Sequence, residues 1–183
     1  MLNLPNTLTL LRIAAVPVFL ICITYGRYGA ALCIFMAAAI TDALDGALAR
    51  LTDTNTELGA SIDPLADKLL MASSFIVLAW VGGVPMWLTI LVLSRDVVIL
   101  LGYLSIYFFA EPIDVKPTAL GKANTFFQIF SIGFALLALA RPDMPMYWIN
   151  LVTNCVAGAT TAASGLHYVY VGLLWQQTHP KAE

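Results

Sequence analysis

Long apolar runs separated by short polar breaks make up most of the chain. Six runs approach the roughly 20 residues that a helix needs to cross a bilayer. The breaks between them carry the glycines, prolines and charged residues that end helices. The pattern predicts six transmembrane helices at about 8–26, 28–49, 59–81, 86–109, 119–140 and 145–175. Residues 2–7 are predicted to form a short interfacial segment, with Asn6 or Thr7 as the N-cap.

Composition strengthens the membrane prediction. Of 183 residues, 60% are hydrophobic and 11% charged, and the mean hydropathy is +0.85. Soluble domains are nearer half apolar and a quarter charged. The chain is therefore predicted to be an all-α integral membrane protein, with residues 1–183 forming one bundle and one domain. Its nine Lys and Arg residues form no basic cluster, which argues against a nucleic-acid partner.

Basic residues are distributed unequally between the two predicted membrane faces. An even number of spans places both termini on one side. The basic residues near that side are Arg12, Arg50, Lys68, Lys116, Lys122 and Lys181, against Arg27 and Arg141 on the other. The positive-inside rule predicts an inner or cytoplasmic membrane, with the termini and the acidic stretch 41–70 facing the cytoplasm.

Four aspartates in two pairs dominate the stretch 41–70. Asp42 and Asp45 are three residues apart, and Asp63 and Asp67 are four apart, so each pair shares a helix face. A short loop joins the two helices, which are predicted to be antiparallel neighbours with converging carboxylates. Such a cluster needs compensating charge, and hard divalent cations such as Mg²⁺ or Mn²⁺ prefer oxygen ligands. We expect one or two such ions, with two favoured because paired ions clamp phosphoryl oxygens.

Small residues and one arginine accompany the carboxylates. Gly46 and Ala49 leave a thin helix surface, and Gly59 opens the next helix without a side chain. Arg50 ends the first helix, where it can hold a phosphate. Close packing of membrane helices explains each small residue equally well when taken alone.

The stretch as a whole reads D-x2-D-G-x2-A-R-x8-G-x3-D-x3-D. It resembles the signature of the CDP-alcohol phosphatidyltransferases. Further stretches look like the phosphatidylglycerophosphate and cardiolipin synthase branch of that family. They are LPNTLTLLR at 4–12, LSRDVVILLGY at 93–103, KPTALGKANTFFQ at 116–128 and TTAASGLHYVYVG at 160–172.

The resemblance implies a fold, a reaction and a set of residue roles. The fold is six transmembrane helices with an N-terminal interfacial segment, usually as a homodimer. The reaction transfers a phosphatidyl group from CDP-diacylglycerol to an alcohol and releases CMP. Asp42, Asp45, Asp63 and Asp67 would bind metal, and Asp67 would deprotonate the acceptor. The residues implied for the CDP-lipid are Asp42, Asp45, Gly46, Ala49, Arg50 and Gly59.

The acceptor alcohol is less well determined. Phosphatidylglycerol and glycerol 3-phosphate both present a hydroxyl near a phosphate, and the predicted acceptor-binding cations are Arg95, Lys116 and Lys122. Arg95 followed by Asp96 resembles the eukaryotic type of cardiolipin synthase, which favours phosphatidylglycerol. The chain also has no arginine between Arg95 and Arg141, and a soluble dianion should need more cations. Structural pairing of Arg95 with an aspartate, and a solvated loop position for Lys116, remain open alternatives.

A cation or proton transporter would also place carboxylates inside a bundle. That function does not require glycines and Arg50 at these spacings, and transporters more often carry internal repeats, of which none is visible here.

Overall fold

The computed structural model describes the backbone of residues 4–52, 57–109 and 118–178, and the side chains of 12–42, 68–102 and 118–172. The described backbone is all-helical, which confirms the predicted class and the number of helices. The helices are α1 (Leu4–Thr24), α2 (Tyr28–Thr52), α3 (Glu57–Trp80), α4 (Met86–Phe109), α5 (Ala119–Ala140) and α6 (Tyr147–Thr178).

The N-terminal boundary differs from the prediction. Helix α1 begins at Leu4, so Asn6 and Thr7 lie inside the helix and neither is its N-cap. The prediction of a separate segment at residues 2–7 is therefore wrong for residues 4–7, which belong to α1. Pro5 fits in the first turn because the N–H groups there have no intrahelical acceptor, so its missing donor costs nothing.

Two glycines end helices where the sequence predicted breaks. Gly26 and Gly82 adopt positive φ angles of 71° and 77°. After Gly26, the N–H of Arg27 donates to the carbonyl of Cys22 at 2.7 Å, and after Gly82, the N–H of Gly83 donates to the carbonyl of Leu78 at 2.8 Å. This arrangement satisfies orphan carbonyls at the helix end and favours glycine at the left-handed position.

The described parts of the helices pack in a closed ring with one contact across it. Around the ring, each helix contacts the next in the order α1, α3, α4, α6, α5, α2 and back to α1. Helices α3 and α5 also contact each other across the ring. The bundle thus consists of two four-helix groups, α1–α2–α3–α5 and α3–α4–α5–α6, which share α3 and α5.

This arrangement bears on the predicted pairing of α2 with α3. Within the described residues these two helices are not in contact, and both α1 and α5 touch each of them. The ends of α2 and α3 that carry most of the aspartates lie outside the described side chains. Convergence of the four carboxylates therefore stays a prediction.

The described side chains form an apolar core that holds a few polar groups, and many large apolar side chains also face outward. Asn124, Ser131 and Thr161 are fully buried, whereas Trp80 is 85% exposed and Leu166 is 72% exposed. Many other large apolar side chains on all the described helices are also exposed. Among the described helices, α5 is the one both long and apolar enough to cross a membrane by composition, and shorter apolar stretches occur at Arg12–Thr24, Tyr28–Asp42 and Lys68–Trp80.

Side-chain hydrogen bonds join α5 to α6 along the shared interface. The hydroxyl of Ser131 donates to Asn154 at 2.6 Å, and the amide of Gln128 donates to Thr161 at 3.2 Å. The Thr161 hydroxyl in turn lies 2.7 Å from the Asn124 amide oxygen. These bonds satisfy polar groups inside an otherwise apolar bundle and fix how the two helices lie against each other.

Candidate active site

The predicted aspartates all lie in helices. Asp42 and Asp45 belong to α2, and Asp63 and Asp67 belong to α3. The two aspartates of each pair are therefore three or four positions apart within one helix, as predicted. Among these, Asp42 has a described side chain. The side chains of the other predicted metal and CDP-lipid residues lie outside the described residues: Asp45, Gly46, Ala49, Arg50, Gly59, Asp63 and Asp67.

Asp42 is held by an arginine from α1. The Arg12 guanidinium Nη1 lies 2.8 Å from Asp42 Oδ1, and the Arg12 side chain is buried while that of Asp42 is 40% exposed. A buried arginine needs an anionic partner to offset its desolvation. The contact ties α1 to the first predicted metal ligand and leaves that carboxylate accessible from outside.

No group of three or more His, Cys, Asp or Glu side chains suited to a metal occurs in the described part of the chain. Carboxylate oxygen is the ligand type that hard divalent cations prefer, and Asp42, the predicted ligand whose side chain is described, is partly accessible.

A cavity of about 240 Å³ opens between α3, α4, α5 and α6. Three cations line it, Lys68 from α3, Arg95 from α4 and Lys122 from α5. Its other lining residues are Ile99, Gly121, Thr125 and Tyr168. With three positive charges at its wall, the cavity is suited to an anionic ligand.

Asp96 holds two of those three cations. Its Oδ1 accepts a hydrogen bond from Lys68 Nζ at 2.6 Å and one from Arg95 Nη1 at 2.8 Å. Because Lys68 lies on α3 and Asp96 on α4, the bond also links these helices. Arg95 therefore forms the predicted structural pair with an aspartate. Arg95 and Lys68, the two cations that Asp96 binds, both line the cavity.

Arg95 is fixed on several sides. Its Nη2 donates to the hydroxyl of Ser164 at 2.9 Å, and its guanidinium carbon lies 5.5 Å from the centre of the Tyr168 ring. Arg95 is only 8% exposed, and its Nε is buried without a hydrogen-bond partner among the described residues. Arg95 therefore lines the cavity with its guanidinium held in one orientation by Asp96, Ser164 and Tyr168.

The start of α5 forms one edge of the cavity. Thr118 is the N-cap, and its hydroxyl accepts the Gly121 N–H at 3.1 Å. A Cβ at Gly121 would lie 3.1 Å from the Tyr168 hydroxyl and 3.7 Å from Arg95 Nη2. The absence of a side chain at Gly121 therefore keeps α5 close to Tyr168 and Arg95.

The structure brings together two of the three predicted acceptor-binding cations. Arg95 and Lys122 line one cavity, whereas Lys116 lies outside the described residues. From the sequence, Lys68 was expected to face a water-accessible cavity in the bundle but was given no binding role, and neither Tyr168 nor Arg12 was assigned to a site. A lysine directly after Asp67 and an arginine inside an apolar helix were the signals for two of these residues. Tyr168 had no comparable signal, since its position depends on how α6 packs on α4.

Fold and cavity together define a class. The described part of the chain is an all-helical bundle with an apolar exterior, a mostly apolar core that holds a few polar groups, an acidic pair on each of two helices and a cationic cavity. The family model for CDP-alcohol phosphatidyltransferases matches residues 2–162.

Relatives with assigned names agree with that match. A probable phosphatidylglycerophosphate synthase of Mycobacterium tuberculosis is 39% identical over 91% of this chain and 80% of its own length. A probable CMP-forming cardiolipin synthase of Drosophila melanogaster is 34% identical over 92% of this chain and 57% of its own length. A CDP-diacylglycerol–glycerol-3-phosphate 3-phosphatidyltransferase of Bacillus subtilis is 34% identical over 86% of this chain and 92% of its own length.

The chain belongs to the CDP-alcohol phosphatidyltransferase family, and it is a transferase of phospholipid biosynthesis. Members of this family are membrane-bound enzymes that use CDP-diacylglycerol and an alcohol, and they generally depend on a divalent metal. The resemblance drawn from the aspartate signature is thus confirmed.

Proposed function

We propose that this chain transfers a phosphatidyl group from CDP-diacylglycerol to a glycerol hydroxyl whose neighbouring phosphate binds in the cationic cavity. The observation that carries the proposal is the position of α3. This helix carries the predicted base Asp67 and, one residue later, Lys68 at the cavity wall. A single helix thereby connects the predicted activated-lipid site with the cavity.

The activated lipid is assigned to the α1–α2–α3–α5 group. Asp42, Asp45, Asp63 and Asp67 would hold Mg²⁺ or Mn²⁺, most favourably two ions, which would neutralise the diphosphate of the CDP-lipid. Gly46, Ala49 and Gly59 would leave room for the cytidine nucleotide, and Arg50 would bind phosphate. Arg12 supports this assignment because it holds Asp42 from a third helix.

The chemistry needs a positioned base and a bound leaving group. Asp67 would accept the proton of the acceptor hydroxyl as that oxygen attacks the phosphorus of the phosphatidyl group. The bond between this phosphorus and the bridging oxygen of the diphosphate breaks, and CMP leaves. General-base assistance of this kind contributes about 10²–10⁴ in rate. Alignment of hydroxyl and phosphorus by the cavity adds to it.

Phosphatidylglycerol is the first candidate acceptor. The Arg95–Asp96 pair and the absence of further arginines up to Arg141 support it.

Glycerol 3-phosphate is the second candidate acceptor, and a specific observation favours it. Lys68 adds a third cation to the cavity beside Arg95 and Lys122, so these three residues and Asp96 together carry a formal charge of +2. That value matches a phosphomonoester dianion. The similarity to proteins named as phosphatidylglycerophosphate synthase and glycerol-3-phosphate phosphatidyltransferase points the same way.

Six membrane spans, with both termini and the aspartates on the cytoplasmic side, complete the proposal. The exposed large apolar side chains on all the described helices support insertion of the whole bundle, because water would not tolerate them in such number. A homodimer remains an expectation from the family resemblance.

The deciding experiment supplies the purified protein in lipid nanodiscs with CDP-diacylglycerol, Mg²⁺ or Mn²⁺, and one of the two acceptors. CMP release that requires an acceptor, with the product identified by mass, would support the proposal and name the alcohol. Asp63→Asn should abolish release, whereas Asp143→Asn, at an exposed loop position, should not. Cation flux across a sealed vesicle without CMP release would instead support a transporter.

A further inference from the structure

Asp96 is the one carboxylate recorded in contact with the cations of the cavity among the described side chains. It bonds both Lys68 and Arg95, and its side chain is 17% exposed. A purely structural ion pair needs one cation for one carboxylate. Here one carboxylate engages two of the three cations that line an open cavity, so its charge affects any anion that enters.

We propose that Asp96 is a resident counter-anion that sets which acceptor charge the cavity prefers, and is thus a specificity-determining residue. The inference rests on the proposed function, since it takes the cavity as the acceptor site. Asp96 touches no acceptor itself. It acts by holding Lys68 and Arg95 and by lowering the positive charge that they present.

The direction of the effect follows from charge alone. With Asp96 ionised, the four groups sum to +2, and replacement by asparagine raises this to +3 with little change in shape. A phosphomonoester carries one more negative charge than a phosphodiester, so it gains more from the removal of a nearby carboxylate. Even with the screening of bulk water, one unit charge at about 4 Å changes the affinity ratio by roughly fivefold, and a lower effective dielectric makes the change larger.

The geometry around Arg95 provides a matched control. Ser164 also bonds Arg95, at 2.9 Å, but carries no charge. Ser164→Ala loosens the same guanidinium without altering the electrostatic field. It should weaken both classes of acceptor by the same factor and leave their ratio unchanged.

Binding measured without turnover tests the inference. The protein in nanodiscs, without CDP-lipid, is titrated calorimetrically with glycerol 3-phosphate and with glycerophosphoglycerol, a soluble phosphodiester. Asp96→Asn should raise the affinity ratio in favour of glycerol 3-phosphate by roughly five- to tenfold. Asp96→Glu, which keeps the charge, should stay near the wild-type ratio, and Lys122→Gln should shift the ratio in the opposite direction.

Each contrary result has a distinct meaning. Equal weakening of both ligands by Asp96→Asn would show that Asp96 acts only in packing, and would overturn the inference. Failure of either ligand to bind the wild-type protein would overturn it as well. The proposed function is judged separately by CMP release, so a chain that binds acceptors with the expected ratio but releases no CMP would refute that function alone.

Discussion

Two buried arginines define the residue-scale organisation of the protein. Arg12 and Arg95 are 4% and 8% exposed, and each has a guanidinium nitrogen 2.8 Å from an aspartate. Burying a guanidinium is unfavourable unless an anion and hydrogen-bond acceptors surround it. Each arginine lies at a different predicted substrate site. Arg12 lies at the predicted site of the activated lipid, and Arg95 lies at the predicted site of the acceptor. Both are therefore expected to matter for function as well as for stability.

The Arg12–Asp42 contact gives the first prediction. Arg12→Gln removes the cation from a pair whose carboxylate is partly exposed, so we expect a loss of about 1–3 kcal/mol, below the value for a fully buried pair. Denaturant unfolding in detergent micelles measures it. Arg27→Gln, at an exposed turn position, is the control and should change stability by less than about 0.5 kcal/mol. Equal effects from the two variants would show that the pair contributes nothing.

The predicted base gives the second prediction. Asp67→Asn should lower the rate of CMP release by about 10²–10⁴, because asparagine cannot accept the proton of the acceptor hydroxyl. Binding of CDP-diacylglycerol should persist, since three aspartates remain. Rapid-quench measurement of CMP and equilibrium binding of labelled CDP-lipid separate the two effects. Unchanged turnover would exclude Asp67 as the base.

Sequence reasoning succeeded for residues whose spacing is local and failed for those that depend on packing. The aspartate spacings and Lys122 near the start of α5 were predictable because helix periodicity places them. The joint contact of Asp96 with Lys68 was not, because it depends on how α3 lies against α4. Arg12 was counted among cytoplasmic-side charges, yet it turned out to be an internal partner of Asp42.

At the scale of the helices, α3 and α5 have a special position because they belong to both four-helix groups. Helix bounds were largely predictable from the apolar runs, since the breaks at Gly26 and Gly82 are genuine helix ends. Helix neighbours were harder to predict. A short connection suggested that α2 packs on α3, yet in the described residues α1 and α5 contact both. In a bundle of six helices, the order of the helices along the chain only loosely determines which helices pack against each other.

Close packing of α4 on α6 gives the third prediction. A Cβ at Gly158 would lie 2.6 Å from the Trp87 ring, closer than carbon atoms can approach. Gly158→Ala should therefore push the Trp87 ring, or α4 with it, away from α6 and cost about 1–3 kcal/mol. Gly133→Ala is the matched control, because nothing lies within 4 Å of its new methyl group. Its higher helix propensity should leave stability unchanged or raise it by up to about 1 kcal/mol.

Thermal unfolding in nanodiscs compares the two alanine variants. The double variant Gly158→Ala, Trp87→Leu should regain part of the lost stability, since the smaller side chain makes room for the methyl group. If Gly158→Ala proves as stable as Gly133→Ala, the approach of α4 and α6 is looser than the structure indicates.

Across the described side chains, the molecule has an apolar core, an apolar outer surface and a few polar groups buried between helices. The core of apolar residues, among them Phe19, Phe35 and Phe75, is surrounded by helices whose outer faces are also apolar. A protein folded in water hides such faces, whereas a bilayer stabilises them. In a bilayer, apolar contacts discriminate little between alternative ways of packing the helices. The α5–α6 hydrogen bonds and the polar groups of the cationic cavity then specify the packing.

Two of the three native cysteines test this membrane arrangement directly. Cys33 and Cys155 are exposed on the surface of the bundle, on α2 and α6. In water both thiols would react readily, but in a bilayer they would face lipid, where a charged maleimide cannot reach them and the reactive thiolate is disfavoured. We expect no labelling of either in sealed membranes and rapid labelling of both after denaturation.

Met144→Cys, in the exposed turn before α6, should react from the outer side in the same membranes. Thr178→Cys, at the last residue of α6, should react only once the membrane is opened. Labelling of Cys33 or Cys155 in sealed membranes would contradict a bundle inserted through its whole thickness, and labelling of both introduced cysteines from one side would contradict six spans.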